Sequence, residues 1–445
     1  VQQRVREFKQ SMADYAEKAP EAQRAEIRAQ SDTQLKLMAL PERTANQGFS
    51  LVLAMRGGKS QVLLPQVEVE PGRPDSPSPG YGTGNQASAA ASVAVLDAQS
   101  LELDVRSIPA TPPWHEPNLP LAESDCRLPR AAVLDDVSGT LLVACLGSDT
   151  LFGYDAAAPS PVDAGSLRVP VASGPTGVAL DARNRRALVW SQFERVLSVV
   201  ALPAAHAPLG VREPAPRRIA LSQPQNGGIS SQIALGRRLF HAANDPRIAR
   251  DGRACASCHI DGRDDGLVWS TPGGPRRTKL LAGVAPSSAP YAWDGSAPSL
   301  HEQIEGTLDR LDGEGGLRPN EMDALVAYVS ALPAPPRELE RDDAATVARG
   351  RALFAAAQTG CASCHAGAIA SDRARHAIAS QTPADGTLRF DTPSLALLSG
   401  RAPYFHDGRF ASLHDLLAAP GDSMGHTSHL SAPDLAALEA FLKTL

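Results

Sequence analysis

Cys255-Ala256-Ser257-Cys258-His259 recurs letter for letter as Cys361-Ala362-Ser363-Cys364-His365, 106 positions further on. In a C-x-x-C-H motif the two thiols form thioethers with a c-type haem, and the adjacent imidazole becomes an axial iron ligand. Two copies predict two covalently attached haem c groups. Cys255, Cys258, Cys361 and Cys364 are then the attachment residues, and His259 and His365 the iron ligands. A zinc site would need a ligand set closed at four, whereas each motif here is self-contained. A thioredoxin-like pair needs a βαβ context that the surroundings lack. The chain is read as one that moves electrons.

The remaining cysteines, Cys126 and Cys145, are expected to form a disulfide, because haem attachment of this kind takes place on the oxidising side of bacterial membranes. That predicts an exported protein, periplasmic or extracellular, with Val1 read as a mature terminus or the start of a fragment. A net charge of −6 and the lack of a long basic run argue against nucleic acid as a partner. No apolar stretch approaches the ~18 residues of a membrane span.

Four regions must position these motifs, in a multidomain chain with an all-β, propeller-like N-terminal part and α-helical tandem cytochrome c domains. Residues 1–40 read as a helical segment, since Val5, Phe8, Met12, Tyr15 and Ala19 form one apolar stripe. Residues 41–220 read as incomplete β-propeller-like repeats. Pro129-Arg130-Ala131-Ala132-Val133-Leu134-Asp135 returns 46 positions later as Pro175-Thr176-Gly177-Val178-Ala179-Leu180-Asp181. A period in the forties with several short strands is the signature of propeller blades. Residues 221–335 and 336–445 read as the first and second cytochrome c domains, joined by a proline-rich, charged linker. Gly236-Arg237-Arg238-Leu239-Phe240 is echoed by Gly350-Arg351-Ala352-Leu353-Phe354. Behind the motifs, Pro290-Tyr291-Ala292-Trp293-Asp294-Gly295 is echoed by Pro403-Tyr404-Phe405-His406-Asp407-Gly408.

Trp293-Asp294-Gly295, Gln303, the Pro403–Gly408 segment and the closing Phe441-Leu442-Lys443-Thr444-Leu445 resemble the di-haem bacterial cytochrome c peroxidase/MauG family. The resemblance covers about 225–445; the N-terminal half is similar to the propeller repeats fused to cytochromes in this superfamily. It implies a distal Met on the second haem, here Met424, for which the first half has Leu311. Leucine cannot ligate iron, so the first haem is expected to keep an open position while the second is His/Met-ligated. His426 and His429 lie near enough in sequence to compete with Met424. No His lies between His259 and His301, so the loop histidine that gates the first haem in many such peroxidases is not expected here.

The resemblance further implies catalytic roles for Trp293 between the haems, Gln303 on the distal side, His406 near the first haem, and an acidic group for which Glu314 is the candidate. It implies a calcium ion between the haems, although the Asn that contributes to that site in relatives falls near Arg277 here. Trp269 is read either as a core residue or as lining the first haem pocket. The expected function is electron transfer from a small donor protein, a cytochrome c or cupredoxin, through the second haem to the first. There peroxide is reduced or a partner oxidised, with the β-region as docking platform for an envelope protein. The alternative is a non-catalytic di-haem electron carrier whose β-region serves docking or assembly.

Overall fold

The computed structural model describes residues 43–72, 89–107, 126–203, 215–221, 228–336, 343–378, 380–419 and 424–445, with residues 17, 20, 21 and 24. The apolar stripe Val5–Ala19 lies outside the described residues, as do 73–88 of the proline-rich insertion and 337–342 of the linker. The chain divides into two units, 1–44 and 45–445, and both C-x-x-C-H motifs belong to the second.

Three antiparallel sheets make up the N-terminal part. The first contains β1 (Thr44–Asn46), β2 (Val52–Arg56), β3 (Lys59–Val69), β4 (Ala89–Asp97) and β5 (Leu103–Ser107). The second runs β6 (Pro129–Asp135), β7 (Thr140–Cys145), β8 (Thr150–Asp155) and β9 (Gly165–Pro170). The third runs β10 (Pro175–Asp181), β11 (Arg186–Ser191), β12 (Val196–Ala201) and β13 (Arg217–Ala220). The second and third repeat one another with the 46-residue period, down to a register shift after Pro129 and after Pro175.

Strand periodicity explains the stacking. Successive side chains on a strand point to opposite faces, so a strand buried on both sides reads as a continuous apolar run. β7 is Thr-Leu-Leu-Val-Ala-Cys and is buried throughout. Leu141, Val143 and Cys145 join a core with Leu63, Val93 and Val95 of the first sheet. Leu142 and Ala144 join one with Ala187, Val189 and Val200 of the third. A disulfide between Cys126 and Cys145 ties the segment entering the second sheet to the end of β7.

The C-terminal part is helical and duplicated. Its first half holds α1 (Ser231–His241), α2 (Leu300–Arg310) and α3 (Pro319–Ala331). Its second half holds α4 (Ala344–Ala355), α5 (Leu413–Ala418) and α6 (Ala432–Lys443). Ser299 caps α2 and Ser412 caps α5, each accepting from the backbone N–H three residues on. The shared Gly-Arg-x-Leu-Phe has a steric cause. A Cβ on Gly236 would lie 1.9 Å from the Ala324 carbonyl oxygen of α3, and one on Gly350 would lie 1.8 Å from that of Ala437 in α6. Only glycine lets each helix pair approach this closely.

Gly236→Ala is therefore expected to destabilise the first half by about 3 kcal/mol or more, since the obstruction is backbone. A fall in the thermal midpoint with no change in the second half's spectrum would show it. Replacing Cys126 and Cys145 together by Ala removes a loop closure between residues 19 apart, with an expected cost of about 3 kcal/mol. Denaturant unfolding of the double variant measures it.

Candidate haem sites and the wall between them

The first motif forms one helical turn, Cys255–Cys258, closed by the His259 N–H donating to the Cys255 carbonyl at 2.9 Å. The side chain of Gln47, from the β-region, donates to the carbonyls of Ala256 at 3.1 Å and Ser257 at 3.0 Å. Arg130 pairs with Asp261 just beyond the motif at 2.6 Å. Val67, Val69 and Ala89 pack with Trp269, Leu267 and Cys258. Trp269 is both a core residue and part of the cavity lining, its indole N–H held by Asp265 at 2.9 Å. Among the described residues the second motif has no such cover, and its Ser363 is exposed where Ser257 is buried.

Cys255, Cys258 and His259 line a cavity of ≈ 350 Å³, and Cys361, Cys364 and His365 line one of ≈ 180 Å³. Nothing about the thiols suggests a redox pair: burial pushes Cys255 up to about 11 and raises Cys258 as well. The histidines are prepared as ligands. His259 Nδ1 lies 3.2 Å from the Arg263 carbonyl and His365 Nδ1 lies 3.0 Å from that of Ala370. A proton on Nδ1 leaves the Nε2 lone pair for iron. Burial lowers both pKa values, which favours the neutral, ligating form.

The cavities also fit a dianionic macrocycle. Arg277 lines both and Arg401 lines the second, and the Nε atom of each is buried without a hydrogen-bond partner. Burial pulls Arg401 down to about 10. Buried cations with donors to spare are what haem carboxylates require.

The two halves differ where it matters for ligation. Met424 lines the second cavity and Leu311 lines the first. Gly425, at φ +96°, brings the Met424 segment over the second motif, where an added Cβ would meet the Thr359 carbonyl at 2.7 Å. His426 and His429 are exposed and absent from the described lining of either cavity. Among the described lining residues of the first cavity, His259 is the only imidazole.

Trp293 lines both cavities, and its indole N–H donates to the Arg277 carbonyl at 2.8 Å. Gln303, Thr307 and Leu311 share the cavity-facing side of α2 and its C-terminal end, with the Thr307 hydroxyl donating to the Gln303 carbonyl at 2.8 Å. Two expected residues stand elsewhere. Glu314 is exposed and outside the described lining, because Gly313 is pressed against the Arg247 carbonyl and turns the chain to the surface. The carboxylate that lines the first cavity is Asp294. His406 lines the second cavity rather than the first. Its ring stacks on Phe390 at 4.0 Å and meets the buried Asp385 at 3.1 Å. Burial acts to raise Asp385, but the Thr382 N–H, Arg276 and His406 more than offset it and leave its pKa lowered.

Lys279, Arg277 as a shared wall, Asp294 as a cavity residue, and Asp385 were not legible in the sequence. Isolated Lys, Arg and Asp residues carry no periodic signal, and the groups they meet, such as Trp293 for Lys279 and His406 for Asp385, lie 14 to 21 positions away.

These features are those of a c-type cytochrome with a duplicated helical part. Residues 230–340 match the family described as di-haem cytochrome c peroxidase. The chain is 30% identical over 242 residues to methylamine utilization protein MauG of Methylorubrum extorquens, covering 42% of this chain and 67% of that protein. It belongs to the di-haem cytochrome c peroxidase/MauG family. It is also 26% identical over 321 residues to hydrazine synthase subunit gamma of Kuenenia stuttgartiensis, covering 58% of this chain and 90% of that protein. Among solved structures, a hydrazine synthase of Kuenenia stuttgartiensis aligns at TM-score 0.40 and 21% identity, covering 51% of this chain and 99% of the other. A MauG-like protein associated with microbial copper homeostasis aligns at TM-score 0.38 and 22% identity, covering 50% and 91%.

The grip of the β-region on the first motif can be tested. Gln47→Leu leaves two motif carbonyls without their donor, and the expected cost is about 1–3 kcal/mol. It should appear as earlier thermal loss of the first haem's absorbance while the second is retained.

Proposed function

We propose that this chain is an exported di-haem oxidoreductase. Electrons from a small donor protein, a cytochrome c or cupredoxin, enter on the His365/Met424 side, cross at Trp293, and serve peroxide reduction or oxidation of a partner on the His259 side. The observation that carries this reading is the asymmetry of the repeat: Leu311 and Met424 occupy corresponding places, each in the lining of its own cavity. Cys255, Cys258, His259 and Cys361, Cys364, His365 would hold two haem c groups, which would supply one-electron exchange on the second side and peroxide chemistry on the first.

The chain's own residues do the rest. On the first side, the Gln303 amide and the Thr307 hydroxyl present polar groups to a peroxide. Asp294 accepts from the Ser296 N–H through Oδ1 at 3.1 Å. Its Oδ2 is then the atom to move a proton from one peroxide oxygen to the other, where water leaves. Asp294 replaces Glu314 in this role. His406, held by Asp385 and Phe390 beside the second cavity, positions the wall on which Trp293 sits, with the two rings 6.5 Å apart. Arg277 occupies the region expected to contribute an Asn to calcium, and its guanidinium reaches Asp264 at 3.2 Å. A bound calcium is not part of this reading.

The three stacked sheets are read as blades of an incomplete propeller. The exposed Leu53 and Met55 on one face of β2, with Leu51 just before it, support a docking role for an envelope protein. Export to the periplasm or beyond is supported by the haem motifs and by the Cys126–Cys145 disulfide. Among the described residues, no helix is long and apolar enough to cross a membrane.

Electron paramagnetic resonance of the resting protein is expected to show one high-spin and one low-spin haem, with the high-spin signal changing on addition of peroxide. Two low-spin signals that peroxide leaves unaltered, with no high-spin haem appearing when one haem is reduced, would sink the reading in favour of a pure electron carrier. Met424→Leu should turn the low-spin signal high-spin. Asp294→Asn should slow peroxide turnover by roughly 10²-fold or more while both spin states persist.

A further inference from the structure

Trp293 does not stand alone in the wall between the cavities. The Lys279 ammonium lies 4.6 Å from the centre of its indole ring. It is anchored there by donating to the Ala292 carbonyl at 2.8 Å, one residue before the tryptophan. The indole itself is pinned by its N–H bond to the Arg277 carbonyl at 2.8 Å. Neither group can drift far from the other.

We propose that Lys279 is the positioning residue that sets how readily Trp293 is oxidised, holding a positive charge over the indole so that electrons pass through it without coming to rest. This rests on the reading that Trp293 connects the two haems. A cation over an aromatic face is attracted to the neutral ring. Once the ring has lost an electron, the same contact becomes a repulsion between like charges in a poorly solvated site. Lys279 therefore stabilises the resting indole and opposes its oxidised form.

The surroundings keep that charge in force. Burial acts against that charge, and the carboxylates facing it act for it. Asp391 and Asp294 are the nearby carboxylates and Arg277 and Arg401 the nearby cations. Burial raises Asp391 to about 6, so it stays mostly ionised at neutral pH, and the two carboxylates are matched by the two arginines. No proton leaves to relieve the repulsion: the acceptor at Nε1 is a backbone carbonyl, which does not act as a base. The step balances as pure electron transfer. Trp293 gives one electron to the side oxidised by hydrogen peroxide and regains one from the side reduced by the donor, with no bond made or broken.

The test is a single turnover of the fully haem-loaded, reduced protein with hydrogen peroxide. It follows the loss of reduced second-haem absorbance and any organic radical signal by paramagnetic resonance. Lys279→Met removes the charge and keeps most of the volume; the expected result is an organic radical signal about tenfold larger, with Lys279→Arg restoring the parent behaviour. Adding Trp293→Phe to Lys279→Met should abolish that signal. A Lys279→Met protein with full haem content, parent kinetics and no added radical would overturn the proposal. So would an added radical that survives in the Trp293→Phe background. Trp293→Phe alone separates the two readings. If it slows second-haem oxidation while Lys279→Met changes nothing, only the role of Lys279 fails; if it changes nothing, the path through Trp293 fails too.

Discussion

Two backbone hydrogen bonds join the two helical halves, and most of the site depends on them. The Arg277 N–H donates to the His406 carbonyl at 2.7 Å, and the Asp391 N–H donates to the Trp293 carbonyl at 2.9 Å. Between them, the Trp293 side chain donates to the Arg277 carbonyl. One bond of this seam fixes the Pro403–Gly408 turn, another fixes the strand that carries Phe390, and the third orients the indole. Buried N–H and C=O groups must find partners, so a seam in which each half satisfies the other cannot slip without loss. Its geometric result is that Trp293 and Arg277, alone among the described residues, line both cavities.

The seam is unusually rich in charge for a buried place. Arg277, Lys279, Arg401, Asp385 and Asp391 surround it, and burial pulls the pKa of each cation down. Buried ion pairs are weak contributors to stability because desolvation consumes much of what Coulomb attraction returns. Their concentration between two haem cavities fits a different use, namely to neutralise haem carboxylates and to set the field in which electrons move.

The β-region makes the duplicated halves unequal in a second way. Gln47, Arg130 and the Val67–Val69–Ala89 face close over the first motif, while the second keeps Ser363 exposed. Among the described residues, the first motif is thereby the more enclosed of the two.

What the sequence determined by itself was whatever has a short, strict spacing. The two C-x-x-C-H motifs, the 46-residue strand repeat and the Gly-Arg-x-Leu-Phe segments all read out locally, because thioether geometry, strand pleat and helix contact each impose a fixed pattern on neighbouring residues. The correspondence of Leu311 with Met424 was legible for the same reason, as a register between two copies. Only the tertiary structure decided which residues of different segments share a wall. It turned Glu314 outward, brought Asp294 into the first cavity, moved His406 to the second, and set Lys279 over Trp293. Those placements depend on how segments distant in sequence pack together, within one half or between the two, and a long-range contact leaves no periodic trace in the chain that makes it.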